Sequence, residues 1–551
     1  MKNTKLLLGA CLATVLALGS MTGCKKSKSG EDKYDKDGRL ILELKNVYFT
    51  SPIFGAFDGE DMYTQILNEK FGVHITPSAY DYDSWDEAVN IAMNGNNLTD
   101  AIHFNLKAYN FGSTYEKWVD DMMVKALPDD MSPWPNLQSM LSHVSNIDAL
   151  KINGKLYGIP IMNDVVDYAK DFSNMTYVYR RDWAKAIDEE NKNRDGWTPI
   201  YREGDVYTWD EFTKLINAFK AYPRDLQNSV ILDEEWGFPS VTNFYKDAPH
   251  CFTKDENGRA INAFTSDKYI AGLEKAKELV TAGVYSRDQF SFTVGQATKN
   301  YLGDQAAILY DNHSLANYIT LRKDFKADPR HKNVDVNDAT ALLKIKDPQG
   351  NFALEGIENW FSMTLFNYDI SDTKLHKILD ILDYLLTEEG TRLAVYGKEG
   401  YDYNIVDGKV ELTDIGWEKD MDGNYGAKVN GAKFMRYMVT LGNDTKSYDP
   451  YTEMEAYTIH NAWQEEMKAA KAQGKLRVIK EPADIEWMST KTKNDKTESI
   501  LADANNFALK YAFHEVVKDL KDYDLNKYRA DFDKDVSWSR VLAEINEKLG
   551  K

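Results

Sequence analysis

The chain has 551 residues, 43% hydrophobic and 28% charged, with a net charge of −20. That length allows two or three globular domains, and the negative charge argues against nucleic acid or an anionic lipid surface as main partner. Outside the first 24 residues the only cysteine is Cys251, so the rest of the chain can form no internal disulfide and must hold together by burial.

In chain order, Lys2 and Lys5 give a basic start, Leu6 to Leu18 is apolar, and Met21-Thr22-Gly23-Cys24 follows. A basic n-region, a short apolar h-region and small residues before a cut make a secretory signal. The apolar run is shorter than the roughly 20 residues that span a bilayer. The Cys after Thr-Gly resembles a bacterial lipoprotein signal, which implies cleavage after residue 23 and a lipid on Cys24. The protein would then sit outside the cytoplasm, anchored to the cell membrane. An ordinary signal with a chance Cys is the plainer alternative. Residues 24–38 read as a flexible tether.

Leu40 to Leu44 with Val47 to Phe49 predicts the first strand, followed by a helix over Glu60 to Lys70 that Phe71-Gly72 ends. Val73 to Thr76 is the second strand. A helix capped by Ser84 and Glu87 runs to Met93, and Ala101 to Phe104 is the third strand. This alternation predicts an α/β lobe with a largely parallel sheet. Further strands are expected over Gly154 to Ile161, interrupted by Pro160, and over Met175 to Arg180. Thr208 and Glu211 box the start of a helix whose Phe212, Leu215, Ile216 and Phe219 share one face. A helix over Tyr269 to Ala282 and a strand over Ala306 to Tyr310 come next. Ala341 to Leu343 and Trp360 to Thr364 predict strands around a Pro348–Gly350 turn. Leu375 to Leu386 marks a helix expected to stop at Gly390, and the chain beyond Thr452 reads as mostly helical.

The order of these units resembles extracellular solute-binding protein family 1, the lipoprotein substrate-binding components of carbohydrate ABC transporters with the type 2 periplasmic-binding fold. Four stretches carry the likeness. They are Gly154 to Ile161; Tyr179-Arg180-Arg181-Asp182-Trp183 with Tyr207 to Phe212; Tyr301-Leu302-Gly303-Asp304-Gln305-Ala306-Ala307; and Leu375 to Gly400 with Tyr403. The resemblance implies an α/β fold of two lobes, each a largely parallel sheet flanked by helices, with a helical C-terminal extension. Lobe 1 would take 39–163 and 338–395, and lobe 2 would take 164–337 and 396–551. Hinge crossings are expected near Ile161–Tyr177 and Arg330–Thr340. It further implies a non-enzymatic monomer that binds an oligosaccharide or sugar derivative, hands it to permease subunits, and needs no cofactor. Some family members carry a calcium loop after the helix matching Thr208–Tyr222. Here Ala221-Tyr222-Pro223-Arg224-Asp225-Leu226-Gln227-Asn228 lacks the alternating oxygen ligands and the Gly, so no calcium is expected there. Asp420-Met421-Asp422-Gly423-Asn424 has Gly431 where such a loop needs a terminal Glu, and reads as a turn.

No H-E-x-x-H, G-x-S-x-G, P-loop or G-x-G-x-x-G occurs. With 87 acidic residues, a glycosidase carboxylate pair can be neither chosen nor excluded from spacing. A two-lobed protein binds at loops on the carboxyl ends of its strands. Those loops supply the candidate ligand-binding residues Ser51, Asn105, Asn163, Asp164, Asn243, Tyr245, Asp311, Asn312, Trp360, Glu399 and Tyr403. Planar amides and carboxylates take vicinal hydroxyls in pairs, and aromatic rings stack on sugar faces. The plainer alternatives are that Asn and Asp form turns and that Trp360 fills a core. An exported glycan-active hydrolase, a surface glycan-capture protein without a permease, and a peptide binder on the same fold stay open.

Overall fold

The structure is a computed structural model. It describes residues 32–551 apart from 52–54, 81–84, 96, 105–110, 164–170, 225, 235–237, 249–250, 294, 417–429, 442–453, 483–484, 486–503, 505, 513, 515, 517 and 519–524. The signal segment with Cys24, Asn105, Asp164 and the 420–424 turn lie outside the described residues.

Two five-stranded sheets organise the chain. The first contains β1 (Leu40–Asn46), β2 (Val73–Ala79), β3 (Ala101–Phe104), β4 (Ile159–Met162) and a late strand, Trp360–Phe366. The second contains β5 (Met175–Tyr179), β6 (Val206–Tyr207), β7 (Ser229–Asp233), β8 (Ala306–Asn312) and β9 (Ala341–Ile345). Outside them β10 (Phe352–Glu355) pairs with a C-terminal strand; Trp360–Phe366 is β11 and that partner, Leu476–Ile479, is β12. The sheet orders are β2-β1-β3-β11-β4 and β6-β9-β5-β8-β7.

Local chemistry sets the first unit. β1 alternates buried and half-buried side chains, so one face enters the core. The Asp61 side chain accepts from the amides of Tyr63 and Thr64 to start the Met62–Phe71 helix, and Gly72 at φ 67° ends it. The chain returns as β2, parallel to β1 from Leu40↔Val73 to Asn46↔Ala79. The box predicted at Thr208 and Glu211 is present, and Trp209–Ala221 buries Phe212, Leu215, Ile216 and Phe219.

Several boundaries differ from the sequence reading. β1 ends at Asn46, and Val47–Phe49 is a 3-10 turn. The strand expected over Gly154 to Ile161 is only Ile159–Met162; it lies on the sheet edge, where Pro160 costs no interior ladder bond. Gly390 does not stop the Leu375 helix. That helix ends at Tyr384, and Gly390 lies inside a second one, Glu388–Val395, whose Thr387 cap accepts from the Gly390 amide.

The lobe boundaries shift for a topological reason. Residues 341–345 pair with β5 and β6 in the second sheet, so the return crossing is 346–359 and not 330–340. Asp402 takes a hydrogen bond from the Tyr63 hydroxyl (2.9 Å), and Asp61 takes one from the Gly431 amide (2.9 Å). Phe434, Met435 and Met438 lie in the first core, so the described residues of 396–441 belong with the first sheet rather than the second. Residues 171–174 lead into β5 in the second sheet.

The Arg-Asp-Trp stretch carries structure rather than recognition. Arg180 is 3% exposed. It donates to Asp182 (2.7 Å) and Asp304 and lies 4.0 Å over the Trp183 ring. Its position at the end of β5 is opposite the edge where the chain crosses between lobes.

Candidate functional site: two carboxyl edges joined by a hinge

In each sheet four strands share a direction and one, β11 or β5, runs against them. The ends of the four and the start of the fifth make a common edge in each lobe. Asn163 leaves the first edge, residues 171–174 reach the second, and residues 346–359 run between the two. They lie side by side and antiparallel: Asn163 N donates to Asn359 O (2.8 Å), Ile357 N to Asp171 O (2.9 Å) and Ser173 N to Glu355 O (2.8 Å). Such a ribbon is the candidate hinge. Ligands of open α/β sheets lie outside the carboxyl ends of the strands, which makes the two edges the candidate site.

On the first edge, His103 is fully buried, with Nδ1 3.1 Å from Asn46 Oδ1 and Nε2 2.5 Å from Ser362 Oγ. Its ring lies 4.3 Å from Trp85, whose indole N–H donates to His103 O (3.0 Å). Burial pushes the His103 pKa down to about 3, so the ring is neutral. Tyr80, just past β2, is 4% exposed, and its hydroxyl has no hydrogen-bond partner among the described residues. Lys45 Nζ sits 4.2 Å from the Tyr80 ring centre.

The second edge is richer in acceptors. Asp311 Oδ2 takes the Thr298 hydroxyl (2.9 Å), and its Oδ1 takes the Asn312 amide (2.6 Å). Glu234 accepts from the amides of Gly295 and Thr298, the latter at 3.1 Å. Burial, with Asp311 nearby, raises the Glu234 pKa. Asp233 is buried close to Tyr177 and Tyr285 and pushes both phenols up, adding to the larger effect of their own burial. Asn243 donates to the Tyr310 hydroxyl (2.9 Å), and its buried Oδ1 has no partner among the described residues.

The C-terminal helix Met454–Ala472 also reaches this edge. Gln464 Nε2 donates to Asn174 Oδ1 (2.7 Å), and His460 Nε2 lies 3.0 Å from His313 O. His313 is buried and its pKa is pushed down to about 4, desolvation outweighing the charge of Asp311. The sequence reading missed His460 and Gln464. Their i, i+4 spacing puts them on one helix face, but which strand end that face meets is decided only by the fold.

Of the predicted residues, Asp311 and Asn312 end β8 at the second edge, and Asn243 reaches the hydroxyl of the adjoining Tyr310. Asn312 is exposed; its Oδ1 accepts from Ser314 N (3.1 Å), so it also serves as a turn former. Ser51 lies in a two-residue strand shortly after β1. The others are placed differently. Asn163 donates its side-chain amide to Glu358 O (2.8 Å) and so lies in the ribbon of the two crossings. Trp360 is 0% exposed, with its indole N–H on Ser145 O (3.0 Å), and offers no face to a ligand. Tyr245 packs edge-on to Trp209 at 6.1 Å. Tyr403 is buried edge-on to Tyr396, and Glu399 is exposed beside the Tyr403–Leu412 hairpin; neither is on a sheet edge.

Chemically the second edge offers fixed acceptors. Glu234 and Asp311 both lie within 3.5 Å of Thr298 Oγ1. They come from one lobe and converge on one residue, Thr298, whose hydroxyl donates to Asp311 (2.9 Å) and whose amide donates to Glu234 (3.1 Å), whereas an acid pair for glycoside hydrolysis flanks a bond from two sides. Among the described residues no group of three or more His, Cys, Asp or Glu is placed to hold a metal ion. After the Trp209–Ala221 helix, Arg224 pairs with Glu190 (2.9 Å). A cavity of about 470 Å³ lies among Asn262, Asp267, Arg529, Phe532 and Trp538; no residue of either edge lines it. No helix among the described residues is long and apolar enough to cross a membrane.

No family model matches the chain. It is 21% identical over 267 residues to Lipoprotein LipO of Bacillus subtilis (strain 168); the match covers 47% of this chain and 48% of that protein, about half of each. Solved structures are similar over nearly the whole length. An extracellular solute-binding protein from Bifidobacterium longum subsp. infantis is 11% identical, covering 94% of this chain and 99% of its own, with a TM-score of 0.64. The alginate-binding protein AlgQ2 is 13% identical, covering 93% and 98%, with a TM-score of 0.60. The S. pneumoniae ABC-transporter substrate binding protein FusA, solved with kestose, is 16% identical, covering 92% and 98%, with a TM-score of 0.58. With its two sheets, paired crossings and helical C-terminal region, the chain has the two-lobed fold of extracellular solute-binding proteins.

Proposed function

We propose that this protein is the extracytoplasmic binding component of an ABC importer. It closes on an oligosaccharide and passes it, chemically unaltered, to permease subunits. The observation that carries this reading is the pair of sheet edges joined by an antiparallel two-crossing hinge. A ligand between the edges gains contacts from both lobes only in the closed form, so binding shifts the population toward closure. Proteins of the same fold are described as binding alginate or as solved with kestose, which supports a glycan over a peptide. The acceptors of Asp311 and Asn243 suit sugar hydroxyls, and the units built on the first and second sheets supply the two lobes.

A thermal-shift panel of oligosaccharides with product analysis tests this reading. At least one oligosaccharide is expected to raise the melting temperature by several degrees and to be recovered intact; a shortened product, or stabilisation by peptides alone, would overturn it. Against that ligand, Asp311→Ala is expected to weaken binding about tenfold, the loss of one hydrogen bond to a charged acceptor, read by calorimetry.

The anchor is a separate element of the proposal. A lipid on Cys24 would hold the binder beside its transporter, and residues 25–38 would let it reorient. Cys24→Ala is expected to move the protein from the membrane fraction to the medium or periplasm. Continued membrane retention of that variant would count against the lipid.

A further inference from the structure

The C-terminal region does more than cover the second lobe. β12 pairs in parallel with β10 inside the return crossing, from Phe352↔Leu476 to Glu355↔Ile479, and Gly356 N donates to Ile479 O (2.7 Å). A third strand is thereby added to the hinge ribbon. β12 is anchored on the second lobe in two ways. Leu476 packs in one core with Trp463, Met467 and Tyr318. Arg477 donates to Lys246 O (2.6 Å) and to Asn243 O (2.8 Å), on the same residue whose side chain meets Tyr310 at the second edge.

The next residue, Lys480, reaches the other way. Its Nζ lies 2.6 Å from Glu358 Oε1. The Glu358 carboxylate is 2% exposed and is held from the first lobe by the Ser145 hydroxyl and by Asn146 Nδ2 (3.0 Å). Asn359 fixes the same loop, accepting from Ser145 N (2.9 Å) and donating to His143 O (2.7 Å). A second cation from the C-terminal helix, Lys471, meets Asp171 on the first crossing at 2.6 Å. A Cβ on Gly356 would come within 2.8 Å of Lys480 Cβ, so the strap lies tight against the hinge.

We infer that residues 476–480 form a strap across the hinge, and that the Lys480–Glu358 pair is a latch fixing the angle between the lobes. Lys480 is a positioning residue. Its ammonium is carried by the second lobe and its acceptor is held by the first, so any rotation of one lobe on the other must stretch or re-aim this pair. Breaking such a buried pair costs more than breaking a surface one, because the carboxylate stays behind without its partner. Through Arg477 the strap also touches Asn243, which links the second edge mechanically to the hinge. This inference deepens the closure reading, but its test needs no ligand.

The test places a donor and an acceptor fluorophore on exposed sites, one per lobe, and measures the distribution of lobe separations in the unliganded full chain. Lys480→Met is expected to broaden or displace that distribution, and Lys480→Arg is expected to restore it. A double variant, Lys480→Met with Glu358→Gln, removes both charges and guards against a folding defect caused by the stranded carboxylate; it is expected to resemble Lys480→Met. Distributions of Lys480→Met and of the double variant that both superimpose on the parent would overturn the latch, whatever their melting temperatures, and leave the sugar-binding reading intact. An unchanged Lys480→Arg beside an altered Lys480→Met is the signature of the charge pair rather than of packing.

Discussion

Trp360→Ala is expected to destabilise the protein by about 3–5 kcal/mol, the range for removing a fully buried large aromatic side chain. Trp360 heads β11, the reversed strand, and follows directly on the hinge residues Glu358 and Asn359. Its ring fills the first core, and its N–H satisfies Ser145 O. Removing it therefore leaves a cavity and takes a donor from a buried carbonyl beside the loop that grips Glu358. Trp360→Phe keeps most of the volume but not the donor, and is expected to cost about 1–3 kcal/mol. Urea unfolding followed by circular dichroism reads both. A Trp360→Ala protein as stable as the parent, with only ligand affinity lost, would return the ring to the role of a stacking platform.

Stability is also expected to fall steeply between pH 6.5 and pH 5. His103 and His313 are buried, with pKa values pushed down to about 3 and about 4, mainly by desolvation. In the unfolded chain a histidine titrates near 6.5. Below that pH the unfolded state binds protons that the folded state refuses, so stability drops as pH falls and is fully present only above about 6.5. Each histidine contributes roughly 1.4 kcal/mol per pH unit in this window, or about 2 kcal/mol between pH 6.5 and pH 5. Unperturbed carboxylates titrate below it. Asn46, Ser362 and Trp85 pack against His103; around His313 stand Asp311, the Tyr318 ring (6.5 Å), the half-buried Asn174, whose carbonyl accepts from His313 N (3.0 Å), and His460, whose Nε2 lies 3.0 Å from His313 O. His103→Gln is expected to remove about half of the slope, read as melting temperature against pH. A stability profile that is flat from pH 6.5 to pH 5 would contradict neutral burial of both rings.

The fold was legible where local chemistry and global packing agree. The Asp61 and Thr208 caps, Gly72 and the alternation of β1 each mark an element by short-range rules, and the elements stand close to where those rules put them. Pairing over distance was not legible. Ala341–Ile345 and Trp360–Phe366 look alike as apolar runs around one turn, yet they enter different sheets, because the chain crosses the hinge between them. The same limit governs the site. Asp311 and Asn312 end a strand that is recognisable in sequence, so their place at an edge follows from that strand's direction. Trp360 begins the reversed strand at that same kind of edge, but its ring turns into the first core and its N–H meets Ser145 O, which makes a core residue of an apparent edge residue. His460 and Gln464 come from a helix about 150 residues beyond the strand end they meet, a juxtaposition no local pattern announces.

Small-angle X-ray scattering of the full chain, with and without an oligosaccharide that stabilises it, tests lobe closure most directly. A smaller radius of gyration on binding, with the sugar recovered at its original length, is the expected result. An unchanged radius at saturating sugar, or a sugar returned in pieces, would contradict a binder that works by closing.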